Sequence, residues 1–235
     1  MKITIIQTGE VPAPLAPRFG SYPAMFERMF DATGRGFSYE VVAASSGDAL
    51  PDPSRLEGIV ITGSPAGVYE DHPWLDPLRD FIRRAYAANT PMLGICFGHQ
   101  IMADALGGVV TKSKKGWGIG RHTYQVKARP DFMADAPQAL SVACSHQDQV
   151  IVPPADAEVI LASEFTPNAG LAYSNGAALS FQPHPEFEDD YAQALAEMRR
   201  GLAPDGVVDG AVASLERPSD SRALAGYIAR FFTER

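Results

Sequence analysis

The feature that most constrains the fold is an alternation, in the first half of the chain, of short apolar runs with stretches of helical periodicity. Short apolar runs predict strands at residues 2–7, 39–43, 58–62 and 92–95. Apolar side chains recur at helical spacing in residues 23–31 and 74–88, and a further helix is predicted after Gly98, ending at Gly107-Gly108. This alternation predicts an α/β fold with a mostly parallel open sheet flanked by helices.

The second half of the chain has a different pattern. Shorter, more alternating strands are predicted at residues 123–127, 141–144, 158–162, 170–173 and 177–181. Ser174-Asn175-Gly176 separates the last two, and Asn-Gly tolerates the positive φ angles of a hairpin turn, so we expect antiparallel additions to the sheet. Helices are predicted at residues 190–200 and 222–233, joined by a loop at 203–219. We expect one domain over residues 1–235, with 190–235 as its helical extension.

Composition and charge exclude several classes of partner. The chain has 20 basic and 28 acidic residues and a net charge of -8, which argues against binding to nucleic acid or to an anionic membrane. No apolar run is long enough to span a bilayer, and Met1-Lys2 leads directly into a predicted strand. With only two cysteines, Cys96 and Cys144, the expected compartment is the reducing cytoplasm.

One of those cysteines lies between two glycines, in Gly94-Ile95-Cys96-Phe97-Gly98, directly after a predicted buried strand. Gly-x-Cys-x-Gly between a strand and a helix is the cysteine version of the nucleophile elbow. This turn places Cys96 at a helix amino terminus, where the dipole and free N–H groups favour thiolate over thiol, and aims the Phe97 N–H at a developing oxyanion. The alternative is an inert buried cysteine.

A nucleophilic cysteine needs a base, and the base needs an orienting group. His184 is the best candidate among five histidines, because Gln182-Pro183-His184-Pro185-Glu186 follows a predicted strand and its two prolines stiffen the loop. Residues two apart in an extended segment point to the same side, so Glu186 could bond one imidazole nitrogen while the other faces sulfur. The alternative is a rigid surface loop with a solvated histidine and glutamate.

Four segments together resemble the class I glutamine amidotransferase family, and they occur in the family's order. They are Ile61-Thr62-Gly63-Ser64-Pro65, the GICFGHQ stretch at 94–100, Ser145-His146-Gln147-Asp148 and the QPHPEF stretch at 182–187. The similarity is greatest to stand-alone, GMP-synthase-like members, although Gln147 stands where the synthases usually carry glycine. The resemblance implies a flavodoxin-like amidotransferase fold and hydrolysis of the side-chain amide of glutamine by a Cys-His-Glu triad.

The resemblance also implies roles for individual residues. It makes Cys96 the nucleophile, His184 the base and acid, and Glu186 the orienting group of the triad. The oxyanion hole would be formed by the N–H groups of Gly63 and Phe97. The amino-acid end of glutamine would be held by Gln100 and the backbone around Ser145 and His146. No cofactor is expected, and no metal site, because no Cys/His cluster completes a ligand set with His99 and Cys96.

Three functions remain open at this stage, all with a small-molecule substrate. The chain could supply ammonia to a separate synthase subunit, or act alone as a γ-glutamyl peptidase, releasing glutamate and an amine. It could also be a non-catalytic regulatory or binding module on an amidotransferase fold. We expect the loops at 11–22 and 66–73 to surround the leaving group. His146 has two interpretations, contact with substrate or a structural hydrogen bond in the segment that contains Asp148.

Overall fold

The computed structural model describes residues 1–234, and Arg235, the last residue of the predicted extension, lies outside them. The helices are α1 (Ala16–Phe19), α2 (Tyr22–Asp31), α3 (Leu75–Ala87), α4 (Phe97–Ala105), α5 (Asp189–Glu197), α6 (Asp205–Leu215) and α7 (Ser221–Thr233). The strands are β1 (Lys2–Ile6), β2 (Ser38–Val42), β3 (Gly58–Ile61), β4 (Met92–Ile95), β5 (Val109–Lys112), β6 (Gly118–Val126), β7 (Ala139–His146), β8 (Asp148–Val152), β9 (Ala157–Ala162), β10 (Gly170–Tyr173) and β11 (Ala178–Phe181).

The strands of residues 1–234 form a nine-stranded sheet in the order β2-β1-β3-β4-β11-β10-β9-β6-β7, and a separate antiparallel pair of β5 and β8. From β2 to β11 the neighbours are parallel, and β3, β4 and β11 are buried along their whole length. Strands buried on both faces read as continuous apolar runs, which is why the sequence revealed them. The predicted α/β class with a mostly parallel sheet is confirmed.

The remaining neighbours in the sheet, from β11 to β7, are antiparallel. The hairpin between β10 and β11 turns at Asn175-Gly176, where Gly176 has a φ of 66° and the Asn175 side chain accepts a hydrogen bond from the Ala177 N–H. The predicted hairpin and antiparallel additions are therefore present. Two strands of the described chain, β5 and β8, were not predicted, because they are short and expose three of four and two of five residues, respectively.

The predicted loop at 203–219 is wrong, because most of it forms α6. Two glycines, Gly206 and Gly210, lower the helix propensity of this segment and obscured it. Val208 and Ala211 are nevertheless spaced to face one side of a helix, and they pack with Ile119 of β6 and Ala196 of α5. Tertiary packing of this apolar face overrides the weak local preference.

The core lies on both faces of the sheet. On one face α2 and α7 meet, with the Phe30 and Phe232 ring centroids 5.9 Å apart, and on the other face α3 and α4 pack. Helix α5 adds a third cluster, in which Tyr191 and Leu195 contact Phe19. The predicted extension thus packs against the sheet through α7 and through α5. No helix within residues 1–234 combines the length and apolar character required to cross a membrane.

Candidate active site

Cys96 lies in a tight turn between β4 and α4. Its backbone angles are φ 53° and ψ -103°, in a region that residues with side chains rarely adopt. A Cβ added to Gly98 would collide with the Ile61 carbonyl, and one added to Gly94 with the backbone of Gly98. The two flanking glycines are therefore required by the close approach of strand and helix, as the elbow motif predicts.

His184 is brought to this turn by the sheet. Strand β11 runs parallel beside β4, and the Cys96 N–H donates a hydrogen bond to the Phe181 carbonyl at 2.8 Å. The segment after β11 then crosses toward β7, where the His184 N–H donates to the Ala143 carbonyl at 2.8 Å. The imidazole Nδ1 lies 2.7 Å from Oε1 of Glu186, and both side chains are buried. The predicted base and its predicted orienting group are thus in direct hydrogen-bond contact.

The charge state of His184 follows from its neighbours. Burial by itself lowers the pKa of His184, but the Glu186 carboxylate and the nearby Cys96 side chain raise it to about 10. The Phe187 ring stacks on the imidazole with centroids 3.8 Å apart and planes within 9°. At neutral pH this site therefore holds a buried, oriented imidazolium beside the Cys96 side chain.

Two backbone N–H groups flank Cys96. Gly63 follows β3, and a Cβ added there would lie 3.1 Å from Cε1 of His184 and 3.8 Å from Cβ of Cys96. Phe97 is the first residue of α4, and the first N–H groups of a helix have no intrahelical acceptor. The Gly98 N–H donates to the Thr62 carbonyl at 3.1 Å and holds these two segments together. Gly63 and Phe97 are therefore close neighbours of Cys96, and their role as an oxyanion hole stays a prediction.

A cavity of about 160 Å³ opens next to Cys96. Drug-sized ligands occupy pockets of about 300–1,000 Å³, so this one suits a group the size of an amino acid. Its wall is formed by Ser64, Pro65, Ala66, Tyr69, Glu70, Cys96, Gln100, Lys112, Trp117, Ser145, His146, Gln147, Asp148 and Arg199. Larger cavities of the described chain lie elsewhere and do not contain Cys96.

Gln100 and Ser145, both predicted to bind substrate, line this cavity. The Gln100 side-chain N–H groups donate to the Asp148 carbonyl at 2.9 Å and to Oε1 of Gln182 at 3.2 Å, which leaves its own Oε1 for a ligand. The Ser145 carbonyl lies 3.9 Å from the Cys96 sulfur. The structure therefore places both residues at the cavity, while their contact with substrate stays a prediction.

His146 also lines the cavity, but both of its ring nitrogens face protein atoms. Nδ1 lies 3.0 Å from the Asp148 carbonyl, and Nε2 lies 3.5 Å from the Thr166 hydroxyl. Burial lowers the pKa of His146 to about 3, so the ring is neutral. These contacts favour the structural interpretation of His146 over direct recognition of a charged group.

His99, the neighbour of the elbow, is fully buried and lies on α4. Its Nδ1 lies 2.8 Å from the Ser180 hydroxyl in β11, which ties the helix to the sheet. Burial lowers the pKa of His99 to about 3. Residues 1–234 contain no group of three His, Cys, Asp or Glu residues able to hold a metal ion.

Several residues of the cavity were not singled out from the sequence. Of the two loops expected around the leaving group, 66–73 contributes Ala66, Tyr69 and Glu70, whereas no described residue of 11–22 lines the cavity. Arg199 reaches the cavity from the segment after α5. The adjacent arginines at 199 and 200 end the helix predicted at 190–200, a pattern typical of solvated charge, so the sequence held no signal for Arg199.

Comparisons with known proteins agree with this geometry. The family described as "Glutamine amidotransferase class-I" matches residues 21–194. The chain is 28% identical over 224 residues to gamma-glutamyl peptidase 4 of Arabidopsis thaliana, covering 92% of this chain and 89% of that protein. It is 36% identical over 129 residues to the glutamine-hydrolysing GMP synthase of Aquifex aeolicus, covering 55% of this chain and 24% of the synthase.

Among solved structures, a glutamine amidotransferase from Thermotoga maritima superposes with a TM-score of 0.78 at 22% identity, covering 100% of this chain and 97% of that one. A glutamine amidotransferase from Methylobacillus flagellatus gives the same TM-score at 20% identity and covers 99% of this chain and 94% of that one. At this level of identity the likeness concerns the fold. The flavodoxin-like arrangement expected from the sequence is therefore confirmed.

Proposed function

The chain belongs to the class I glutamine amidotransferase family and is an enzyme of the amidotransferase and hydrolase type, and from that premise we propose that it hydrolyses γ-glutamyl amide bonds through Cys96, His184 and Glu186. The observation that carries the proposal is the order of contacts. Cys96 and His184 both border Gly63, and Nδ1 of His184 lies 2.7 Å from Oε1 of Glu186. Acyl transfer requires a nucleophile next to a base, and a base that is held by an orienting group.

The first half of the proposed reaction forms a thioester. The Cys96 thiolate attacks the γ-carbonyl carbon, and the N–H groups of Phe97 and Gly63 stabilise the negative charge on the carbonyl oxygen. The tetrahedral species collapses as the carbon–nitrogen bond breaks. The imidazolium of His184 gives its proton to the departing nitrogen, which leaves as ammonia or as an amine.

The second half releases glutamate. Water gives a proton to the now neutral His184 and its oxygen attacks the thioester carbonyl, again with the oxyanion held by the two N–H groups. The carbon–sulfur bond then breaks, and glutamate leaves while Cys96 returns to the thiolate form. Glu186 keeps the imidazole oriented in both halves, since its carboxylate is bonded to the ring nitrogen that does not face sulfur.

Two substrate classes fit this chemistry. A stand-alone γ-glutamyl peptidase is favoured because the Arabidopsis gamma-glutamyl peptidase 4 matches 92% of this chain and 89% of its own length. The second candidate is glutamine hydrolysis for a separate synthase subunit, in line with the glutamine-hydrolysing GMP synthase relative. The proposed triad and thioester are the same for both candidates, so the leaving group decides between them.

The test is release of glutamate by purified protein from glutamine and from γ-glutamyl dipeptides, with Cys96→Ala beside the matched control Cys144→Ala. We expect Cys96→Ala to reduce turnover by about 1,000-fold or more, and Cys144→Ala to keep it within about threefold. Rapid quenching and mass spectrometry should find a γ-glutamyl adduct on Cys96. Equal turnover by both variants, or no turnover by the wild-type protein, would refute the proposal and favour a binding module.

A further inference from the structure

Arg199 lies at the edge of the cavity that contains Cys96. It follows α5, and its guanidinium carbon lies 4.5 Å from the centroid of the Trp117 ring, which lines the same cavity. A guanidinium stacked on an aromatic face is held in position while its N–H edge stays available for hydrogen bonds. The helical extension and the turn before β6 therefore meet at the cavity in this contact.

Arg199 has no acidic partner within residues 1–234, and its Nε is buried there without a hydrogen-bond acceptor. Its neighbour Arg200 is different, because it bonds Glu197 at 2.6 Å and Asp209 at 2.8 Å. Burial lowers the pKa of Arg199, which shows that its charge is poorly solvated. A partly buried cation without a counter-charge is costly to maintain and is well suited to bind an anion.

The aromatic neighbours of Arg199 place it on the leaving-group side of the cavity. Tyr191 lies on α5 about two turns before Arg199, and the Tyr22 ring contacts it with centroids 6.5 Å apart. Their rings pack against Phe187, with centroids 6.2 Å and 4.6 Å away, and Phe187 in turn stacks on His184. Because His184 delivers a proton to the departing nitrogen, the leaving group lies on that side.

Other lining residues of the cavity suit the glutamyl part of the substrate. Gln100 bonds the backbone of Asp148, whose carboxylate accepts a hydrogen bond from the Tyr69 hydroxyl at 3.0 Å. The carboxylates of Asp148 and Glu70 can attract the α-ammonium group that every γ-glutamyl compound carries. Lys112, also on the wall, supplies a cation for the α-carboxylate. Arg199 is thus a second cation, one more than glutamine requires.

Resting on the proposed hydrolysis, we propose that Arg199 binds a carboxylate on the leaving group, so that the substrates are γ-glutamyl amino acids or peptides rather than glutamine. Ammonia, the leaving group of glutamine, carries no such carboxylate and gains nothing from Arg199. Arg199 is then a specificity-determining residue supplied by the helical extension. A planar guanidinium can bind a carboxylate with two parallel hydrogen bonds.

The experiment measures kcat/KM for three probes: γ-glutamylglycine, γ-glutamylglycinamide, which lacks the carboxylate, and glutamine. We expect the wild-type protein to prefer γ-glutamylglycine over its amide by about 10- to 100-fold, as for the loss of a charge-assisted hydrogen bond. Arg199→Gln should lose about 10- to 100-fold on γ-glutamylglycine and change by less than about threefold on the other two. Arg199→Lys should retain part of the preference for γ-glutamylglycine over its amide, because lysine keeps the positive charge but cannot form two parallel hydrogen bonds to a carboxylate.

The matched control is Arg200→Gln, the same substitution one residue along, at a side chain that does not line the cavity. It should leave all three values unchanged, and thermal unfolding should show that both variants fold. Equal loss on all three probes in Arg199→Gln, or no loss on any, would overturn the inference while leaving the proposed hydrolysis in place. Absence of turnover of every probe by the wild-type protein would overturn both.

Discussion

The surroundings of the two cysteines differ although both side chains are buried, with 5% of Cys96 and 3% of Cys144 exposed. Cys96 sits in a turn with a positive φ of 53°. Cys144 lies inside β7, opposite Gly120 of β6, in regular extended backbone. The two are close enough for Cys96 to raise the pKa of Cys144, yet neither forms a disulfide within residues 1–234.

Their partners differ more than their burial does. Burial raises the pKa of Cys144 to about 12, and the nearby Tyr124 opposes this only in part, so this thiol stays protonated. Cys96 instead faces an imidazolium that Glu186 stabilises. The comparison teaches that exposure does not distinguish the two cysteines. A strained turn and a charged partner do.

The largest effect should come from removing the charge that distinguishes the two sites. Glu186→Gln leaves a similar shape but no carboxylate, so the pKa of His184 should fall from about 10, because burial then acts with less opposition. We expect kcat to drop by about 100- to 10,000-fold and the alkaline limb of the pH–rate profile to move to lower pH. A steady-state pH profile measures both.

The same variant has a consequence for stability. Because the pKa of His184 is about 10 when folded and near 6.5 when unfolded, its contribution is fully present below about pH 6.5 and is lost as pH rises toward 10. Urea unfolding of the wild-type protein at several pH values should show this decline, and Glu186→Gln should flatten it. If the pH–rate profile and the pH dependence of the free energy of unfolding were both unchanged in Glu186→Gln, this would contradict the assigned role of Glu186.

A smaller but direct effect concerns the reactivity of the two thiols. Iodoacetamide should alkylate Cys96 at least about 100-fold faster than Cys144 at neutral pH, because Cys96 lines the cavity, whereas burial raises the pKa of the Cys144 thiol to about 12. Peptide mass spectrometry after timed quenching gives both rates in one sample. Glu186→Gln should bring the two rates closer together. Equal rates in the wild-type protein would remove the basis of the comparison.

The smallest effect should come from Cys144. Cys144→Ser places a hydroxyl in the core, where it needs a hydrogen-bond partner, and should lower the free energy of unfolding by about 1–2 kcal/mol. Urea unfolding measures this, with Cys144→Ala as the apolar control. Glutamate release should stay within about threefold of wild type. A large loss of activity without a loss of stability would give Cys144 a role that its surroundings do not indicate.

The local features of the site could be predicted because each is specified by adjacent residues. The elbow needs Gly94 and Gly98 beside Cys96, and the pairing of His184 with Glu186 needs only two residues of separation in a stiff segment. The buried parallel strands were equally predictable, because their apolar runs are continuous. The one-domain organisation stays a prediction.

Contacts between distant segments could not be predicted in this way. Helix α6 was mistaken for a loop because its two glycines weaken the local signal, whereas packing on β6 stabilises it. Arg199 looked like surface charge, and only its stacking on Trp117 brings it to the cavity.

The sequence by itself therefore determined the fold class, the glycine-flanked turn at Cys96 and the candidate triad. Each of these depends on steric needs or side-chain periodicity within a few consecutive residues. The tertiary structure alone decided the charge of His184, the raised pKa of the Cys144 thiol and the position of Arg199. These depend on burial and on the field of neighbouring charges, and both arise only when segments far apart in the chain exclude water together.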